Sequence, residues 1–420
     1  MVMADDRISW IENIMADRRE SRSLSSSEII RVLFITHNYI RFKGDFAGVF
    51  LHLLAKKLKE HNVEVLVVAP HDAGLKEYEV IEGIRIFRFR YGDDKTETFA
   101  YRGDMHRQLF RNPFKIFRLL KFLKAAQKQA VEIFEKENIN IISIHWLIPS
   151  GIIGKRLKRK YGDKIRLFLS SHGTDIRLLT GVPFVYSYFK SIINKSVKWT
   201  VVSNYLKNLI VEKDKNAANK LEVVPLPNDE TIFFPEQSIH KEPNIVMAVS
   251  RLTIQKRIPY LLEAIKRVSV EIPEIKLEIY GAGPEKENLE NMIKSLRIQD
   301  HARIFDPIPQ TELRKAYCRA GMVVLNSVNE GFGLALTEAM LCRTAVIGTR
   351  SGGITDIIHD GKTGILVPPD DAQSLADAIL RLAKDHRLRT TLAMEGYNKA
   401  VANFSSESSA KKYASIFRGR

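Results

Sequence analysis

Apolar and polar positions along this chain fall into a repeating order of short apolar runs and amphipathic stretches, which predicts strands alternating with helices. Arg31-Val32-Leu33-Phe34-Ile35-Thr36 reads as a buried strand, Val49 to Glu60 as a helix and Val63 to Pro70 as the next strand. That alternation belongs to a parallel sheet with right-handed crossovers. Ile84 to Arg90 alternates apolar with basic residues as a half-exposed strand does, with a phase slip at Ile86-Phe87 that suggests a bulge. Ile139 to Ile144, Ile165 to Ser170 and Trp199 to Val202 read as further strands. Pro225, Pro227, Pro235 and Pro243 then punctuate the chain. Beyond them the order restarts, with strands at Asn244 to Val249, Lys276 to Tyr280, Ala302 to Phe305 and Met322 to Leu325. Helices at Ile258 to Val268, Glu285 to Ser295 and Thr311 to Ala320 separate them.

A chain of 420 residues exceeds one ordinary core. The pattern therefore predicts an α/β protein with two similar Rossmann-like domains, their parallel sheets facing across a cleft. The expected boundaries are a tail over 1–28 ending in the serine-rich Ser21 to Ser27, a first domain over 29–227, a linker over 228–243, a second domain over 244–404 and a last segment over 405–420.

Charge separates the two halves. The formal net charge is +16, of which residues 31–220 carry +17, residues 221–420 carry +1 and residues 1–30 carry −2. An excess confined to one domain points to a polyanion or an anionic membrane surface rather than to solubility alone. Lys155, Arg156, Lys158, Arg159 and Lys160 fall within six residues. Asn112-Pro113, a good helix start, opens a stretch in which Lys115, Arg118, Lys121 and Lys124 recur every third residue among large apolar side chains. Such a helix suits a membrane interface, and equally a surface helix whose apolar stripe covers the sheet.

Two cysteines, Cys318 and Cys342, without a histidine at ligand spacing, argue against a disulfide scaffold or a zinc site and suit small interior positions. Asp5, Asp6, Glu12 and Asp17 precede any apolar run, unlike a secretory signal, and no stretch has the length of a spanning helix. The expectation is a cytoplasmic protein, peripheral on the membrane face at most.

The most informative chemistry lies in Asn329-Glu330-Gly331-Phe332-Gly333-Leu334-Ala335-Leu336-Thr337-Glu338-Ala339-Met340, where a glycine turn after a short apolar run leads into a helix. Gly331 and Gly333 let the backbone approach a ligand, and the helix start near Leu334 aims free N–H groups at an anion. Glu330 in the turn and Glu338 one helical turn on would then face two sets of hydroxyls. Taken alone, the stretch also fits a strand-turn-helix junction with two solvated glutamates.

This segment resembles the donor motif of the large retaining family of GT-B glycosyltransferases of the family 4 type. Other landmarks of that family recur in order across most of the chain. Val249-Ser250-Arg251-Leu252 with Lys256 resembles its phosphate-binding Arg and Lys, Ile279-Tyr280-Gly281-Ala282-Gly283-Pro284 its glycine turn, and Ser171-His172-Gly173-Thr174-Asp175 its histidine loop. Gly48-Val49-Phe50 and Ile144-His145-Trp146-Leu147-Ile148-Pro149-Ser150-Gly151 look like members that build microbial surface polysaccharides or glycolipids.

The resemblance implies a GT-B fold whose last segment crosses back onto the first domain. It also implies retaining transfer of a hexose-type sugar from a nucleoside diphosphate sugar to a hydroxyl of a polysaccharide or lipid-linked glycan. Arg251 and Lys256 would hold the diphosphate, Arg as a planar fork and Lys as a compact charge. Glu338 would hold the ribose and Glu330 the donor sugar, with Gly331, Phe332, Gly333 and Leu334 contributing donor contacts and Gly48 a close backbone approach. His172 would face the reacting centre, with Asp175 orienting its ring. His145 and Trp146 would line the acceptor side. Side-chain cations take the place of a divalent ion, so no metal and no cofactor are expected, the sugar nucleotide being a substrate. With no carboxylate placed as a nucleophile, a front-face reaction is implied.

Three departures stand out. Asp229-Glu230-Thr231 follows Pro227-Asn228 where the family often has Gly-Val-Asp, and the expectation is an effect on the donor pocket. Arg257 and Arg343 stand where glycine is common, and Ala345 where proline is.

Rival readings differ in class. A dehydrogenase would use Tyr280-Gly281-Ala282-Gly283, but Lys286 occupies the place of the third glycine. A nucleic-acid-binding protein would use the basic half, yet aromatic platforms are not interleaved there, and no nucleic-acid partner is expected. A GT-B nucleotide-sugar epimerase shares the motifs and differs only in needing no acceptor.

Overall fold

The computed structural model of the chain describes residues 29–101, 105, 108 and 115–419. The tail over 1–28 and the Asn112-Pro113 helix start lie outside the described residues.

The first half is built on eight strands: β1 (Ile30–Ile35), β2 (Val63–Pro70), β3 (Tyr78–Ile81), β4 (Ile84–Phe89), β5 (Ile141–His145), β6 (Arg166–Ser171), β7 (Lys198–Val201) and β8 (Leu221–Val223). Their order is β3-β4-β2-β1-β5-β6-β7-β8, parallel except for the β3–β4 pair. The second half holds β9 (Glu242–Val249), β10 (Lys276–Tyr280), β11 (Ala302–Phe305), β12 (Ala320–Leu325), β13 (Ala345–Thr349) and β14 (Ile365–Val367). These run in the order β11-β10-β9-β12-β13-β14, all parallel. Helices cover both faces, so the central strands read as continuous apolar runs.

In each sheet the chain reverses its direction of winding beside the first strand, between β1 and β5 and between β9 and β12. Such switch points open a crevice at the carboxyl ends of the strands. The segments leaving β1, β5 and β6 on one side, and β9, β10 and β12 on the other, therefore supply the facing loops.

β4 corrects the sequence reading. It pairs without interruption to both β2 and β3, so there is no bulge at Ile86-Phe87, and it is covered on both faces. Ile84 and Ile86 enter one core layer while Phe89 meets Phe122 edge to face at 4.9 Å on the other. The apparent slip arises because Arg88 is an inward residue. Its fully buried guanidinium is held by Glu79, the Tyr101 hydroxyl and the Ile40 carbonyl.

The two halves are joined where residues from three segments meet. Asn228 donates from Nδ2 to the Phe404 carbonyl at 2.7 Å and accepts at Oδ1 from the Thr337 hydroxyl at 2.9 Å. After Ser405 the helix Ser406–Arg418 lies on the first half, with Phe417 edge-on to Phe168 at 5.2 Å and the Tyr413 hydroxyl 2.9 Å from Thr200 Oγ1. Glu230 caps that helix through Ser406 N and Oγ, both at 2.8 Å. The acidic departure after Pro227-Asn228 thus serves the last helix and does not line the cleft. Arg257 and Arg343 both adopt left-handed backbone, φ 53 and 51, which explains why glycine suits these positions. Cys318 and Cys342 are buried and free. Among the described residues no helix is long and apolar enough to cross a membrane.

Candidate functional site

A cavity of about 610 Å³ separates the two halves. The turn after β9 brings Arg251 and Lys256 to its wall, and the turn after β12 brings Glu330, Gly331, Phe332 and Gly333. Leu334 and Glu338 reach it from the helix Leu334–Leu341, and His172 faces them from the loop after β6. Main-chain order explains the closeness: Val249 pairs with Tyr280 in the sheet, so Ser250 and Gly281 emerge side by side.

The charged groups differ in their partners. Lys256 Nζ lies 2.6 Å from Glu330 Oε2, each side chain 17% exposed. Arg251 is exposed to the cavity and, among the described residues, forms no hydrogen bond or ion pair. Glu338 accepts a bond from the buried Tyr317 hydroxyl at 3.0 Å. Burial pushes its carboxyl up to about 7, the Tyr317 bond opposing that shift. The helix carrying Glu338 starts at Gly333, φ 125, with no side-chain cap, so its first N–H groups remain available to an anion.

His172 is held neutral. Burial drives its pKa well below the ordinary imidazole value, and the nearby His145 and His37 add to that. Its Nε2 is 3.3 Å from His145 Nδ1, while its Nδ1 is enclosed and has no hydrogen-bond partner among the described residues. Trp146 and Phe50 flank the ring with centroids 4.5 and 5.0 Å away.

Several sequence assignments are corrected. Asp175 does not orient the imidazole. Its carboxylate accepts from the main-chain N–H groups of Leu147 at 2.9 Å and of His172 and Gly173 at 3.2 Å, and so shapes the loop. His145 is fully buried beneath His172 rather than lining an acceptor surface, and burial lowers its pKa to about 3. Trp146 is half-buried against His172 and is not among the residues lining the cavity. Gly48 is not among them either, although Phe46 and Val49 are. Its left-handed φ of 65 and a would-be β-carbon 2.7 Å from the Asn38 carbonyl oxygen make it a turn residue. Phe332 lines the cavity while its ring packs edge-on to Phe404 at 5.7 Å.

Sequence reasoning missed three contributors. His37 follows β1, has an enclosed Nδ1 without a hydrogen-bond partner among the described residues and a pKa lowered by burial to about 4; its position at a strand's carboxyl end was the available signal. Arg177, two residues beyond Asp175, lines the cavity and reaches Asn329 O at 3.5 Å. Tyr317 carried no local signal, because its role depends on meeting Glu338 from a neighbouring helix. A group with metal-ligand spacing, His71, Asp94 and Glu97, also forms outside the cavity. Its His71 nitrogens are already engaged by Glu97 and the Leu75 carbonyl.

Residues 229–399 match the family model described as glycosyl transferases group 1, and residues 47–231 match glycosyltransferase family 4. The chain is 28% identical over 317 residues to N-acetyl-alpha-D-glucosaminyl L-malate synthase of Bacillus anthracis, covering 73% of this chain and 81% of that protein. It is 23% identical to a GDP-mannose-dependent alpha-(1-6)-phosphatidylinositol monomannoside mannosyltransferase of Mycolicibacterium smegmatis, covering 93% and 98%. In structure it is similar to sucrose-phosphate synthase from Thermosynechococcus elongatus, with a TM-score of 0.77, 22% identity and coverage of 93% and 98%. Anabaena HepE, solved with UDP-glucose, superposes with a TM-score of 0.67, 16% identity and coverage of 93% and 100%.

Proposed function

This chain belongs to the GT-B glycosyltransferases of the family 4 type, and on that premise we propose that its cleft moves a hexose-type sugar, with retention, from a nucleoside diphosphate sugar to a hydroxyl acceptor. The observation that carries this reading is the convergence of an arginine unpaired among the described residues, a lysine, an uncapped helix start and a protonatable glutamate on one cavity. Arg251 and Lys256 grip the diphosphate and stabilise the charge that develops as it leaves. Glu338 accepts from the ribose hydroxyls, while Glu330 and the Gly331–Leu334 main chain position the sugar.

In this reading no carboxylate among the described residues serves as a covalent nucleophile. The acceptor hydroxyl therefore attacks from the face the diphosphate leaves, and a departing phosphate oxygen takes its proton. His172, held neutral, faces the reacting centre and walls it without adding charge. Two side-chain cations fill the place a divalent ion would take, so the transfer proceeds without metal.

The acceptor is a glycan or lipid-linked glycan met at an anionic surface. The basic first half supports this, with Lys115, Arg118, Lys121, Lys124, Lys155, Arg156, Lys158, Arg159 and Lys160 on the helices Ile116–Lys136 and Leu147–Tyr161 or at their ends. Ile116, Phe117 and Leu120 are exposed beside the first of these cations. On this reading the transfer takes place in the cytoplasm, on the membrane face.

The test is product analysis with uridine and guanosine diphosphate sugars, acceptor and chelator. Retention of the donor's anomeric configuration, undiminished by chelator, is the expected result. An inverted product, or turnover of the sugar nucleotide without acceptor to an epimer, overturns the reading.

A further inference from the structure

The densest run of cations in the sequence borders a second cavity, away from the cleft. The helices Leu147–Tyr161 and Pro183–Lys195 pack together on the first half, and between them opens a pocket of about 390 Å³. Lys155, Arg156, Lys158 and Arg159 line it from the first helix, Tyr188 and Lys195 from the second.

These cations are poorly neutralised. Lys155 Nζ donates to the Tyr188 carbonyl at 3.2 Å and stands 4.3 Å from the Tyr188 ring centroid. Arg156 donates to the neutral amide of Gln127 at 3.0 Å. Lys158 donates to the Ile165 carbonyl at 2.9 Å and reaches the fully exposed carboxylate of Asp163 at 3.3 Å. Arg159 and Lys195, both exposed, form no hydrogen bond or ion pair among the described residues. Five cations therefore share one cavity with, among the described residues, a single solvated carboxylate paired to them.

Helix dipoles explain part of this arrangement, because cations in a last turn offset the negative end of a helix. That covers Lys158, Arg159 and Lys195. It does not explain why Lys155 and Arg156, a turn earlier, line the same pocket, nor why like charges three and four residues apart are tolerated at a cost to the helix. A bound dianion or diester resolves both. Phe184, 75% exposed, and Tyr188, 49% exposed, sit on the second helix as aromatic side chains do at a lipid–water boundary.

We propose that this pocket is a second phosphate site, taking the phosphate group of an anionic phospholipid headgroup while the flanking aromatic residues meet the lipid. It gives the surface contact proposed above a defined seat. It rests on the transferase reading only for its purpose, which is to hold the cleft near a membrane-borne acceptor.

The test compares the full chain with Arg159→Glu/Lys195→Glu, whose exposed side chains leave the core untouched. Sedimentation with phosphatidylglycerol vesicles should pull down the parent and not the double variant, a loss of roughly a hundredfold in partitioning for two reversed charges near an anionic surface. Phosphatidylcholine vesicles should retain neither. Uridine diphosphate affinity, read on the same samples, should be unchanged. Its absence in both proteins would count against the transferase reading and not against the pocket. If the parent ignores vesicles but binds inorganic pyrophosphate, with uridine diphosphate saturating the cleft, and the double variant does not, the phosphate site stands with a soluble ligand. Equal vesicle and pyrophosphate binding by parent and variant, or none by either, overturns the proposal.

Discussion

Lys256 and Glu330 form a 2.6 Å ion pair between the turns that follow two neighbouring strands, β9 and β12. The lysine proposed for phosphate is thus poised by the glutamate proposed for sugar. A diphosphate would share or replace that carboxylate, freeing Glu330 to accept from a sugar hydroxyl. Lys256→Ala should lower nucleoside diphosphate affinity by about tenfold to a hundredfold, the range of a charged hydrogen bond. Glu330→Gln should leave that affinity within about threefold and lower kcat instead. Calorimetric titration and steady-state kinetics separate the two outcomes.

At Gly331 the two halves are in direct contact. A β-carbon there would stand 3.1 Å from the His172 carbonyl oxygen and 3.4 Å from Gly173 Cα, while the Gly331 carbonyl already accepts from Ser203 Oγ at 2.7 Å. Gly331→Ala should destabilise the protein by about 1–3 kcal/mol through overpacking and depress turnover more than nucleotide affinity. Chemical denaturation and kinetics check this.

Glu338 makes nucleotide binding depend on pH. Its folded pKa of about 7 lies above the ordinary 4.5, so the native state holds a proton that the unfolded chain has lost between those values. Stability therefore falls as pH rises from 4.5 to 7, and is flat above. Ribose hydroxyls favour the ionised form, so affinity should rise with pH below 7, by at most about tenfold per unit, and level off. Glu338→Gln should bind weakly with no such dependence, and Glu338→Ala should bind weakly as well. Tyr317→Phe removes a bond to the carboxylate and should move the midpoint upward. Titrations across the neutral range report all of these.

The buried histidines act with the opposite sign. His37, His52 and His145 have folded pKa values of about 4, 4 and 3, and His172 is well below 6.5. Each takes up a proton on unfolding below 6.5, so stability should drop as pH falls from 6.5 toward 4. Each contributes up to about 1.4 kcal/mol per pH unit. His145→Phe, which replaces a ring tilted against Phe34 at 4.4 Å, should shallow that slope in denaturation measured at several pH values.

The sheets were legible because buried parallel strands announce themselves as short apolar runs: Ala302–Phe305 and the run ending at Leu325 lie where the pattern puts them. β4 was misjudged because alternation cannot distinguish a solvated arginine from Arg88, paired inside the core. In the site, local signals survived: Arg251, Lys256 and the Glu330–Leu334 turn are contiguous segments, and the structure gathers them on one cavity. Contacts between segments distant in sequence left no trace. The Asp175 carboxylate was free to be imagined on the His172 ring until the main-chain N–H groups claimed it, and nothing in the helix Gln310–Arg319 marks Tyr317 as the partner of Glu338.

The proposed transfer requires that Arg251 and Lys256 grip a diphosphate. Calorimetric affinities of a nucleoside, its monophosphate and its diphosphate, for the parent and for Arg251→Ala/Lys256→Ala, test it directly. The parent should prefer the diphosphate over the nucleoside by at least about a hundredfold, as two charged contacts predict, and the double variant should lose most of that preference. An undiminished preference in the variant, or none in the parent, would contradict the account.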